Sequence, residues 1–165
     1  TKYNEQYYSI CVLNRDSESP YDFSIGFRGG YENSPPDRQI AILDKTLKEE
    51  YEVYMSLPRD FKGTVEALKK WRGMTNKELA EDMLVNEKTV ERIINGETKT
   101  TINNIVAMCL SLQLSPDLCD DVIEKSPAKF GNTEKDRRLK FLIRMVMGKR
   151  MDEVREIAKK YDIEL

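Results

Sequence analysis

Histidine is absent from this 165-residue chain. That absence removes Ser-His-Asp and Cys-His catalysis, HExxH zinc hydrolysis and zinc fingers of mixed cysteine and histidine ligands. An enzyme would be left with carboxylates or lysines. Cysteine is scarce as well: Cys11, Cys109 and Cys119 form an odd set without metal-ligand spacing. They read as small buried hydrophobes in a reducing compartment. Long apolar runs are missing too. None approaches the ~18 residues of a membrane span, and no secretory leader opens the sequence, so the expectation is a cytoplasmic protein with no membrane partner. Thr1 at the start leaves room for a longer parent chain with another domain upstream. A basic excess is also lacking, since the net charge is −2. The charge is graded along the chain: residues 1–61 carry 7 basic against 11 acidic side chains, residues 62–125 carry 9 against 11, and residues 126–165 carry 11 against 7. A protein that grips nucleic acid by charge alone would carry more cations.

What is present is helical patterning. The stretch Thr75 to Gly96, TNKELAEDMLVNEKTVERIING, reads as two short helices folded around a tight turn. Thr75 and Glu78 form a capping box, and Leu79, Ala80 and Met83 follow as one apolar stripe. Asn86 is a good N-cap for the second helix, which turns Val90, Ile93 and Ile94 inward before Asn95-Gly96 stops it. Ala80 is small enough for the second helix to cross closely over the first. Upstream, a helix from Thr64 to Gly73 buries Val65 and Leu68 and leaves Trp71 half buried. Downstream, Thr101 caps a helix with Ile102, Ile105, Val106, Cys109 and Leu110 on one face. Ser115-Pro116-Asp117 starts another, with Leu118, Val122 and Ile123 inward. Five short helices in about sixty residues make one bundle.

The flanks are different. Residues 6–14 and 21–28 alternate with period 2 and suggest a β-hairpin. Gly26, Gly29 and Gly30 lack the Gly-Lys-Ser/Thr ending of a phosphate cradle. After Asn33-Ser34-Pro35-Pro36, a helix of about five turns from Asp37 aligns Ile40, Leu43, Leu47, Tyr51 and Tyr54. This is either a packed stripe beneath a solvated face or a helix for a partner. Pro58 ends it, and Arg59 to Gly63 looks like a domain boundary. The last forty residues hold two more helices. Leu139, Phe141, Leu142, Met145 and Val146 line the first, which Gly148 ends. Val154, Ile157, Ala158, Tyr161 and Ile163 line the second. The basic set Lys135, Arg137, Arg138, Lys140, Arg144, Lys149 and Arg150 reads either as a second nucleic-acid surface or as a solvated face, docked on the acidic N-terminal part.

The order and spacing of the central stretch resemble the Cro/C1-type helix-turn-helix family, also called XRE-like, whose fold is that of the lambda repressor. The residues that carry the resemblance are Leu68, Met74-Thr75-Asn76, Glu78-Leu79-Ala80, Val85, Thr89-Val90, Ile93 and Asn95-Gly96. The ending Leu112-x-Leu114-Ser115-Pro116-x-Leu118 matches as well. The resemblance covers about 60 residues. Two positions depart from the pattern: Leu84 stands where the family turn usually has glycine, and Asn76 stands where glutamine is frequent. The expected fold is therefore mainly α. A five-helix lambda-repressor-like bundle over residues 62–126 is preceded by a β-hairpin plus long helix in residues 1–61. A helical extension over residues 127–165 follows it, similar to those on some longer bacterial regulators of the family.

The resemblance implies a DNA-binding transcriptional regulator whose Asn86–Asn95 helix enters the major groove of double-stranded DNA. It places base contacts on Glu87, Lys88 and Arg92, and phosphate contacts on Thr75, Asn76, Asn86, Thr89, Thr98 and Lys99. Arg92 is suited to guanine, whose O6 and N7 its guanidinium can engage together, while Glu87 can accept from cytosine N4. Such a regulator is expected to act as a homodimer, with residues 1–61 or 127–165 available for dimerisation or a protein partner. No cofactor, metal or catalytic residue is expected. The competing reading is a protein-interaction module, an antitoxin or adaptor using the same bundle, in which Glu87 to Arg92 is a solvated face with local salt pairs.

Overall fold

The helices begin where a side chain can satisfy the first free backbone N–H groups, and several stop where the backbone turns left-handed. The computed structural model describes residues 36–97 and 99–165. The expected hairpin, its glycines, Cys11 and Thr98 lie outside the described residues. Among the described residues all regular structure is helical: α1 (Pro36–Ser56), α2 (Phe61–Arg72), α3 (Asn76–Met83), α4 (Glu87–Asn95), α5 (Ile102–Ser111), α6 (Pro116–Lys125), α7 (Glu134–Met145) and α8 (Met151–Lys160). The caps read from sequence are in place. Thr75, Asn86, Thr101 and Ser115 each accept from the backbone N–H three residues on. Thr133 does the same from Asp136.

α2 starts three residues before the expected Thr64. Asp60 is its N-cap and accepts from the Gly63 N–H at 2.7 Å, while the buried Thr64 hydroxyl donates to the Pro58 carbonyl at 2.9 Å. Gly63 is needed for this approach, because a Cβ there would lie 2.8 Å from the Asp60 carboxylate. The Arg59–Gly63 stretch thus holds a helix start, and Phe61 is in the core.

α3 and α4 pack tightly on each other, α2 lies against α4 and α6, and α5 is enclosed by α3, α6 and α7. Leu79, Ala80, Met83, Val90, Ile93 and Ile94 are all buried, as their spacing predicts. α5 is the centre of the molecule: Ile105 to Ser111 are buried without a break. Arg72 ties the end of α2 to the turn after α5, donating to the carbonyls of Leu112 and Gln113 at 3.0 and 2.8 Å. Its guanidinium also lies 3.9 Å from the ring of the half-buried Trp71.

Three expectations about apolar faces change. In the α1 stripe, whose Leu43 side chain lies outside the described ones, Leu47 is 63% and Tyr51 60% exposed, with Ile40 and Tyr54 also outside, and it is Val53 and Leu57 that reach the core. In α7 the buried set is Leu139, Leu142, Ile143 and Val146, at i, i+3, i+4 and i+7, so Phe141 falls out of phase and is 61% exposed. In the last helix Met151, Val154 and Ala158 are buried and Tyr161 is exposed. A single cluster of buried side chains nevertheless runs from Phe61 to Ala158. The Asn103 side chain also reaches the Glu164 carbonyl at 2.6 Å.

Candidate functional site

The exposed face of α4 is set by what the opposite face must bury. Val90, Ile93 and Ile94 point into the bundle, which leaves Glu87, Lys88, Glu91, Arg92 and Asn95 in solvent. Glu87 and Glu91 stand four apart, as do Lys88 and Arg92, so the face divides into an acidic column and a basic column. The expected local salt pairs are not formed. Among the described residues the side chains of Glu87, Lys88, Glu91 and Arg92 make no ion pair or hydrogen bond. Like charges four apart on a helix cost about 0.2–0.5 kcal/mol per pair. This helix therefore carries a small electrostatic cost on the face it presents.

The turn before α4 has a left-handed backbone shape that glycine adopts without strain. Leu84 sits at φ 55° and ψ 39°, left-handed, with its side chain 74% exposed. Its N–H donates to the Glu81 carbonyl at 3.2 Å, and the Val85 N–H donates to the Ala80 carbonyl at 3.0 Å. Those bonds close α3 and aim the chain into α4. Asn86 then caps α4 through its Oδ1, which accepts from the Thr89 N–H at 2.8 Å and the Thr89 hydroxyl at 2.9 Å. The Asn86 amide nitrogen is the group left to donate outward, and the Thr89 hydroxyl proton is engaged.

At the start of α3 the capping box has a consequence for anion binding. The Glu78 carboxylate accepts from the Thr75 N–H at 2.7 Å and the Thr75 hydroxyl at 2.9 Å. Those two bonds, the backbone one first, hold the Glu78 carboxyl below the usual glutamate range. A negative charge thus already occupies the end of the helix where a phosphate was expected. Thr75 could contact phosphate only by giving up the cap. Asn76 has its amide oxygen buried without a hydrogen-bond partner, so a phosphate contact from it would have to come from the amide nitrogen. Lys99 is exposed in the segment after Gly96.

One cation escaped the sequence reading. Lys77 is exposed in the first turn of α3 and has no ion pair among the described residues. A positive charge in a first turn opposes the helix dipole, and that local misfit was the signal available. The basic C-terminal set is mostly engaged elsewhere. Arg138 pairs with Glu134 at 2.6 Å, Arg144 with Asp120 at 3.3 Å, Lys149 with Glu153 at 3.3 Å and Arg150 with Asp152 at 2.9 Å. Among the described residues no group of three or more His, Cys, Asp or Glu side chains could hold a metal. Nor is any described helix long and apolar enough to cross a membrane. Cys109 and Cys119 are free and buried, and the Cys109 thiol beside Cys119, together with burial, pushes the Cys119 thiol well up.

Comparison with known proteins bears on α2 through the start of α6. Residues 65–119 match the helix-turn-helix family model of the Cro/C1, XRE-like type, so this segment is a helix-turn-helix domain. No curated protein and no solved structure gives a match.

Proposed function

We propose that this chain, with a helix-turn-helix domain at its centre, is a sequence-specific regulator of transcription that reads duplex DNA with α4. The observation that carries this reading is the solvent face of α4, where Lys88 and Arg92 stand one turn apart with neither charge spent on a partner among the described residues. Arg92 is assigned to a guanine, and a bidentate contact of that kind contributes about 1–3 kcal/mol of discrimination. Lys88 reads beside it. Glu87 accepts from cytosine N4 and repels the backbone elsewhere. Phosphates are held by the Asn86 amide nitrogen, Lys99 and Lys77, with Thr98 and the Asn76 amide nitrogen as further contacts, whereas Thr75 and Thr89 are engaged in their caps. The unit acts as a homodimer on two half-sites, the usual geometry for one short reading helix per subunit.

The test is selection of bound duplexes from a random pool at fixed salt, run beside the Arg92→Ala, Lys88→Ala double variant. A consensus that the wild type enriches and the double variant does not is the expected result. Folded protein with no enrichment would overturn the proposal. A salt titration on random duplex adds a second readout, because phosphate-driven binding falls steeply with salt. The alternative, a bundle that binds a protein partner, is favoured by one observation: Glu87 and Glu91 form an acidic column beside the basic one, unpaired among the described residues. Salt-independent failure to bind duplex would move the assignment to that reading.

A further inference from the structure

Two surfaces outside the reading helix remain unexplained, and they adjoin. The first is a groove of about 400 Å3 between α1 and α6, lined by Leu47, Tyr51 and Tyr54 on one side and Asp117, Asp120 and Glu124 on the other. Asp117, Asp121 and Glu124 recur at i, i+4 and i+7, so one edge of α6 is a row of carboxylates beneath exposed tyrosines, and Asp121 of that row is already bonded to Lys125 at 2.6 Å. The second is a ridge on α7, where the exposed Arg137, Phe141 and Arg144 recur at i, i+4 and i+7 and so share one face of the helix. Lys140 adds a cation to the same helix, its ammonium 4.9 Å from the centre of the Phe130 ring. The surfaces share a boundary, since Arg144 of the ridge lies 3.3 Å from Asp120 of the groove.

We propose that groove and ridge together form a self-complementary interface, in which Phe141 of each of two copies of this chain enters the acidic, tyrosine-lined groove of the other. Charge selects the occupant. The groove repels nucleic acid and acidic segments and attracts an aromatic flanked by cations, which is what the adjoining ridge presents. A twofold axis near the Asp120–Arg144 boundary makes both contacts at once, the arrangement of a closed dimer rather than an open chain. The packing phase accounts for the rest: Leu139, Leu142, Ile143 and Val146 hold α7 in the core, which leaves Phe141 outside. The proposal gives the homodimer of the preceding section its contact surface and takes from that section only that the regulator works as a pair.

The experiment is sedimentation velocity on the full chain without DNA, with two charge-reversed variants. One reverses the groove (Asp117→Lys, Glu124→Lys) and the other reverses the ridge (Arg137→Glu, Lys140→Glu). The wild type is expected to dimerise and each variant alone to dissociate about tenfold or more readily. An equimolar mixture of the two should recover the dimer, because the mixed pair has opposite charges at both contacts. That recovery also shows that both variants are folded, and Phe141→Ala should weaken the dimer with no change of charge. A monomeric wild type, a dimer indifferent to both reversals, or a mixture that fails to recombine would each overturn the proposal. DNA selection on the same proteins keeps the two readings apart. A dimer that enriches no duplex leaves this interface standing, and a monomer that still enriches a half-site leaves the DNA reading standing.

Discussion

Replacing Leu84 tests the turn between α3 and α4 by the sign of an effect. A leucine at φ 55° carries about 1–2 kcal/mol of left-handed strain. Glycine removes that strain but adds about 0.4–1 kcal/mol of freedom to the unfolded chain. The side chain is 74% exposed, so little buried surface is lost. Leu84→Gly is therefore expected to stabilise the protein by about 0.5–1 kcal/mol, a rise in Tm of roughly 1–4 °C for a chain of this size. Leu84→Asn should also gain, since asparagine visits the left-handed region more readily. Leu84→Val should lose about 1 kcal/mol, because a β-branched residue is a strong outlier there. Thermal and urea unfolding of the four proteins reads the order Gly and Asn above Leu above Val. If position 84 were an ordinary helical residue, glycine would instead destabilise by close to 1 kcal/mol. That outcome would refute a left-handed turn here, and with it the angle at which α4 is presented.

Other expectations follow from the caps and the core. Asp60→Ala should cost about 1 kcal/mol and Asp60→Asn far less, measured by chemical denaturation, because Asp60 caps α2. Glu78 titrates below its usual range in the folded protein, so its contribution to stability is fully present above the unfolded value near ~4.3 and fades as pH falls through the lower folded value. The stability gap between wild type and Glu78→Gln should accordingly close with acidification, and a gap that stayed constant would place the Glu78 carboxylate outside the cap. Cys109 and Cys119 should resist alkylation in the native protein at mildly alkaline pH and react once it is unfolded, as read by mass spectrometry. Ile143→Ala should cost about 2–5 kcal/mol, as expected for a fully buried side chain.

Local chemistry was legible where one residue decides it. Thr75, Asn86, Thr101 and Ser115 could be read as caps because each satisfies a backbone donor three positions away, whatever lies around it. The inward set Leu79, Ala80, Met83, Val90, Ile93 and Ile94 was legible for a related reason, since helical spacing leaves one choice of face. Phase failed in α7, where Phe141 and Ile143 are both apolar and only contact with α5 and α6 decides between them. It also left open whether the α1 stripe is packed or bare, since periodicity reports that a face is apolar and not what covers it. At the proposed reading site, sequence located the charged side chains of α4. The conflict at the start of α3 is not visible there: the same Thr75–Glu78 box that starts the helix places a carboxylate where a phosphate was expected. The α2 start was missed because Gly63 looked like a linker, whereas it clears space for the Asp60 cap.

The enclosure of α5 has a mechanical consequence. Because Ile105 to Ser111 are buried without interruption and α3, α6 and α7 all bear on the same helix, α3 and α7 rest on one common support. A dimer built through α7 would then act as a calliper with fixed jaws. One base pair inserted between half-sites turns one of them by about 34–36° about the DNA axis, and a rigid frame cannot follow that rotation. Spacing, as much as base identity, would decide which operators such a protein can occupy.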